Sequence, residues 1–114
     1  NAGHPPALIA GPAGIRRMAA GGVPLGLLPG QKYSTTEFTL APGETLLLYT
    51  DGLTEAADVA GNFLEIAGVE KLLLEAAHLS APAAADQLMA AINAWSPPGR
   101  DCDDRTVLLV KAVG

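Results

Sequence analysis

Two unbroken apolar runs stand out along the chain: Thr45-Leu46-Leu47-Leu48-Tyr49-Thr50 and Thr106-Val107-Leu108-Leu109-Val110. Runs of this length, bounded by turn-forming or charged residues, read as strands buried on both faces. From Tyr33 to Leu40 the pattern alternates instead, with Tyr33, Thr35, Glu37 and Thr39 on one side and Phe38 and Leu40 on the other. That alternation predicts a half-exposed strand, joined through the turn Pro42-Gly43 to the strand 45–50 as a hairpin. Nearer the start, Pro6–Ala10 and Ile15–Met18 predict two short strands around Gly11-Pro12-Ala13-Gly14. Residues 19–32 read as an irregular loop with apolar anchors at Val23, Leu25, Leu27 and Leu28.

The second half changes period. Residues 53–58 suit a short helical turn, and two longer helices follow. In the first, Ile66, Val69, Leu73, Ala76 and Ala77 form one apolar stripe while Glu70, Lys71 and Glu75 face water. The second starts at Ser80, a natural N-cap, with Pro82 in the first turn where its missing donor costs little. Its stripe is Ala84, Leu88, Ala91, Ile92 and Trp95, and Ser96-Pro97-Pro98-Gly99 stops it. The chain then returns as a last strand over 105–112. Strands, two helices and a closing strand, mostly antiparallel, give an α+β domain.

Composition narrows the function classes. At 114 residues the chain fits one domain or part of one. A net charge of −5, without a basic stripe, speaks against a nucleic-acid partner. No apolar stretch approaches the roughly 18 residues of a membrane helix. One cysteine excludes an internal disulfide and a thiolate metal cluster, which fits a reducing, cytoplasmic setting. The start Asn1-Ala2-Gly3-His4 carries neither an initiator Met nor a signal-peptide pattern, so the chain reads as a piece of a longer protein.

Chemistry gathers where the apolar runs meet acids. The first run delivers into Asp51-Gly52, and the second follows Asp101-Cys102-Asp103-Asp104-Arg105. If the two strands lie antiparallel and adjacent, exit and entry share one sheet edge, with opposed residues roughly 4.5–5.5 Å apart. Carboxylates gathered there suit magnesium, manganese or calcium better than zinc or copper. Plainer readings stand beside this one. Asp51 could cap a helix, and the acids at 101, 103 and 104 could be solvated, although such clustering costs repulsion unless a cation relieves it. Glu55, four residues after Asp51, shares its face if a helix starts there, and could orient a metal-bound water or answer the helix dipole. His4 reads as a structural residue in the turn before Pro5-Pro6. His78 complements a helix C-terminus, and Cys102 is incidental. The glycines of 21–32 do not fit phosphate-loop spacing.

Four segments carry a family resemblance: Asn1-Ala2-Gly3-His4-Pro5-Pro6, Val23-Pro24-Leu25-Gly26-Leu27, Tyr49-Thr50-Asp51-Gly52-Leu53-Thr54-Glu55-Ala56, and Asp103-Asp104-Arg105-Thr106-Val107-Leu108-Leu109. In this order and spacing the chain resembles the metal-dependent protein phosphatases (PPM, type 2C) of the bacterial sporulation stage II protein E and RsbU type. The resemblance implies a β-sandwich of two sheets flanked by helices, with a dinuclear Mn²⁺ or Mg²⁺ site at one rim. It makes Asp51 and Asp103 the metal ligands, with Gly52 a supporting residue beside Asp51. Asp104, Glu55 and His4 become supporting residues.

The same resemblance implies hydrolysis of phosphoserine or phosphothreonine on a protein, by a metal-activated water and without a phosphoenzyme. An anti-sigma-factor antagonist is the implied substrate. The family's first Asp, which bridges both metals in an Asp-x-x-Gly-His-Gly-like segment, has no counterpart among these residues. Residues 1–114 are therefore expected to form the C-terminal half of a catalytic domain, partnered by its upstream half. The fragment alone would be inactive and would have unpaired strand edges. The competing expectation is a pseudophosphatase, a protein-binding module that keeps the fold without catalysis.

Overall fold

The computed structural model describes residues 1–18, 21–97, 99 and 103–114. Its elements run β1 (Leu8–Gly11), β2 (Gly14–Arg17), β3 (Thr45–Tyr49), α1 (Asp51–Thr54), α2 (Glu65–Ala76), α3 (Ala81–Trp95) and β4 (Val107–Lys111). The strands form a four-stranded sheet in the order β2-β1-β3-β4, every neighbour antiparallel. The fold is α+β, as the change of period predicts.

β1 and β2 close as a hairpin over Pro12-Ala13, with Gly11 opposite Gly14. Gly14 has φ +111°, a conformation that costs an L side chain strain and glycine nothing. β3 lies between β1 and β4, with Leu8 opposite Leu47 and Leu47 opposite Leu109. The expected hairpin of 33–40 with β3 does not form, and 33–40 contains no strand. The physical reason is occupancy: both edges of β3 are already paired, by β1 and by β4. The Pro42-Gly43 turn does form, closed by the Glu44 N–H donating to the Ala41 carbonyl at 2.9 Å.

The helices cover one face of the sheet. Val69, Leu73 and Ala76 of α2 and Ala84, Leu88 and Ile92 of α3 bury against Leu8, Leu47, Tyr49 and Leu53. Ser80 caps α3 as expected, its Oγ accepting from the Ala83 N–H at 3.4 Å. Trp95 departs from its stripe. It sits 39% exposed at the margin, where its indole N–H donates to the Ala56 carbonyl at 3.1 Å. Such a ring buries its body and keeps its polar tip satisfied.

Two further expectations are corrected. The apolar runs are not buried on both faces: Leu108 and Val110 of β4 are 53% and 45% exposed, because no helix packs on their side. The short helical turn begins at Asp51 and ends at Thr54, earlier than 53–58. His78 lies beyond the end of α2, and the cation that answers that end is Lys111 of β4. Its Nζ donates to the carbonyls of Ala77 and Leu79. Pro98, Asp101 and Cys102 lie outside the described residues.

Candidate functional site

The end of β3 and the segment leading into β4 meet at one rim of the sheet. Tyr49 pairs with Val107 as the last rung of the ladder. One residue further, Thr50 holds the extended conformation (φ −89°, ψ 160°) typical of a helix N-cap. Its hydroxyl nevertheless does not cap α1. It donates to the Asp104 carbonyl at 2.9 Å and accepts from the Thr106 N–H at 3.0 Å. The Thr50 N–H donates to the Thr106 carbonyl at 3.1 Å. Two segments more than fifty residues apart are thereby stitched at a single side chain.

α1 then turns sharply. The Asp51 carbonyl accepts from the Glu55 N–H at 2.9 Å and from Thr54 Oγ1 at 3.1 Å. That turn returns Glu55 to the side of Asp51, as their four-residue spacing predicts. Across the rim, Asp103 Oδ1 accepts from the Asp104 N–H at 2.8 Å, which fixes the Asp103 carboxylate locally. One carboxylate oxygen from each of Asp51, Glu55 and Asp103 lies within 4.8 Å of the others, and all three residues are exposed. The group offers only carboxylate oxygens, the donors preferred by hard divalent cations.

Gly52 makes this approach possible. A Cβ there would overlap the Asp104 carbonyl oxygen and lie 3.1 Å from that of Asp103. Real Cβ atoms do not approach backbone so closely, so the 103–104 segment packs where a side chain would otherwise stand. Asp104 contributes through its backbone, and its carboxylate is not among the three that converge. Arg105 secures the other side of the same segment. Its guanidinium donates to Asn93 Oδ1 at 2.8 Å and to the Ser96 carbonyl and Oγ at 2.9 Å. That ties the acidic segment to the C-terminal end of α3.

His4 is not part of the acid group. Its N–H donates to Asn1 Oδ1 at 2.8 Å, and its Nδ1 is 2.7 Å from the Pro5 carbonyl. Since a carbonyl only accepts, Nδ1 carries the proton in that contact. The ring stands edge-on to Tyr49, with centroids 6.5 Å apart. His4 also borders a cavity of about 510 Å³ on the helix-free side, together with Lys32, Tyr33, Phe38, Leu46 and Leu48. None of Asp51, Glu55 and Asp103 lines that cavity.

Sequence reasoning finds the three acids and misses what holds them. Thr50 looks like any hydroxyl residue at a strand end, and Arg105 like a solvated charge. A local signal for either is weak, because their partners lie in another segment or on another element.

Comparison with known proteins places the chain in a family. The family profile of the Stage II sporulation protein E (SpoIIE) matches residues 1–113. Protein IcfG of Synechocystis sp. is 36% identical over 64 residues, which are 55% of this chain and 10% of that protein. Among solved structures, the SiaA-PP2C domain of Pseudomonas aeruginosa superposes with a TM-score of 0.73 at 22% identity, over 94% of this chain and 43% of that one. The PP2C phosphatase domain of SpoIIE from Bacillus subtilis gives 0.75 at 20% identity, over 97% of this chain and 32% of that one. A manganese-presoaked structure of the same Bacillus phosphatase domain gives 0.64 at 19% identity, over 97% and 48%. The chain thus spans a tenth of its curated relative and less than half of each of these solved chains. With the profile covering all but the last residue, the chain belongs to the SpoIIE family, and its fold is that of part of a PP2C-type domain.

Proposed function

We propose that residues 1–114 supply one wall of a metal-dependent protein phosphatase site that hydrolyses phosphoserine or phosphothreonine. The observation that carries this reading is the convergence of Asp51, Glu55 and Asp103 within 4.8 Å, in a chain of a phosphatase family. Oxygen-only donors on a solvent-facing rim fit Mg²⁺ or Mn²⁺, which take one or two carboxylates and keep several waters. Asp51 and Asp103 would hold the cation, with Glu55 beside them. A divalent cation bound here would supply the positive charge that makes water nucleophilic near neutral pH and answers phosphoryl charge. The chain's own residues position it: α1 presents Asp51 and Glu55 on one side, and the Asp104 N–H fixes the Asp103 carboxylate. Asp104 is assigned a supporting part through its backbone.

This wall corresponds to the C-terminal part of the catalytic domain. The overlap with only 32–48% of the solved SpoIIE phosphatase chains supports the reading of part of a longer domain. The bridging carboxylate and the second sheet then come from sequence beyond these residues. An anti-sigma-factor antagonist phosphoprotein is the proposed substrate, and the cell interior the proposed setting. Among the described residues no helix is long and apolar enough to cross a membrane.

Calorimetric titration with Mn²⁺ tests the site. Heat of binding that is lost in Asp51→Asn and Asp103→Asn supports it, and no heat at millimolar metal overturns it. Residues 1–114 alone should turn over negligible p-nitrophenyl phosphate with Mn²⁺. Robust metal-dependent turnover by this piece would overturn the division of the domain.

A further inference from the structure

We propose that Thr50 is a positioning residue for the metal site: its hydroxyl sets the spacing of Asp51 and Asp103 by binding both ends of the 104–106 segment. The inference rests on the metal reading of the rim. Thr50 stands where a helix N-cap would stand, with the backbone angles of one, yet its Oγ1 is not used for α1. The donor of that hydroxyl and one of its acceptor lone pairs are spent across the rim, on the Asp104 carbonyl and the Thr106 N–H. Asp51 is the next residue after Thr50, and Asp103 the residue before the carbonyl that Thr50 holds. A shift of the hydroxyl therefore moves the two acid-bearing segments relative to each other.

Among the described residues no neighbouring group duplicates the clasp. The Thr50 N–H to Thr106 carbonyl bond continues the strand ladder but leaves the Asp104 carbonyl unheld. Gly52 permits the close approach of the 103–104 backbone without bonding to it. Arg105 anchors the segment to α3, away from Asp51. Replacing the hydroxyl with a methyl of the same shape removes one donor and one acceptor at once. It strands the Thr106 N–H and frees the Asp104 carbonyl.

The test uses the full chain in which this segment occurs, with Mn²⁺ alone as the probe. Thr50→Val is expected to weaken Mn²⁺ binding by about tenfold, the low end for groups that orient metal ligands. Thr50→Ser, which keeps the oxygen, should restore wild-type affinity. A merely structural threonine would lower the denaturation midpoint of Thr50→Val and leave the Mn²⁺ dissociation constant of the folded protein unchanged; that result overturns the proposal. Asp51→Asn separates the two layers of argument. If Asp51→Asn also binds Mn²⁺ normally, the metal reading fails and takes the clasp with it. If Asp51→Asn loses binding while Thr50→Val retains it, the clasp alone fails. Should Thr50→Val not fold, amide exchange in the wild-type protein decides. By linkage, saturating Mg²⁺ must slow exchange at Thr106 more than at amides of α3, and equal slowing overturns the proposal.

Discussion

On the helix side of the sheet, Leu8, Leu47 and Tyr49 are sealed beneath α2 and α3, with Leu109 and Val107 packed against them. On the other side, Leu46 and Leu48 are half-buried beside a cavity, and Leu108 and Val110 of β4 stand substantially in solvent. Alternate residues of the same leucine-rich strands thus meet two environments. The helix side is covered by regular elements whose apolar stripes match its own. Among the described residues the other side meets irregular segments, around His4 and around Tyr33 and Phe38, which reach Leu46 and Leu48 but leave Leu108 and Val110 of β4 exposed. What a strand residue contributes is therefore set by its cover and not by its hydrophobicity.

The largest effect should come from breaking the sealed side. Leu47→Ala leaves a cavity where relaxation is restricted and is expected to cost about 2–5 kcal/mol, read as a lower urea midpoint. Gly52→Ala acts at the rim where the two sides meet. It forces the 103–104 backbone outward, at roughly 1–3 kcal/mol by the usual scale of overpacking. Mn²⁺ affinity should fall with it, which calorimetry on the folded fraction would register. Ser80→Ala removes the cap of a covering helix and should cost about 1 kcal/mol, visible in thermal unfolding.

The open face supplies the control. Leu108→Ala should cost well under the Leu47→Ala value, because its side chain is already 53% exposed. Equal losses at both positions would mean that something covers β4 in solution. The smallest effect is at Tyr49, whose phenol oxygen is buried and has no hydrogen-bond partner among the described residues. Burial pushes its pKa above the ordinary 10.0. The unfolded chain then loses the proton first, so the contribution is intact below pH 10 and is lost as pH rises through the higher folded value. Tyr49→Phe should remove that alkaline loss and be close to neutral at pH 7, where only a buried, unpartnered hydroxyl disappears.

Much of this arrangement is legible from the residues. The 3.6-residue stripes of α2 and α3, the Ser80 cap and the apolar runs of β3 and β4 all carry their own local signal. So does the four-residue step from Asp51 to Glu55, which one helical turn converts into proximity. Tyr33–Leu40 misleads because alternation describes a strand's surface and not whether a partner edge is free. The one-sided burial of β4 is invisible for a similar reason, since an apolar run does not state how many layers will pack on it. Lys111, Arg105 and Thr50 are not legible as anchors because each bonds a backbone group of a remote segment, and backbone groups leave no mark in the sequence.

At Gly52 two stretches of main chain touch with no side chain between them. A joint of that kind has no rotamers to choose among and no methylene to lengthen or shorten. Its dimension is the thickness of a peptide group, the same whatever residues surround it. The nearest approach of the acid-bearing segments is therefore a van der Waals limit between backbone atoms, and the Thr50 hydroxyl holds them at it.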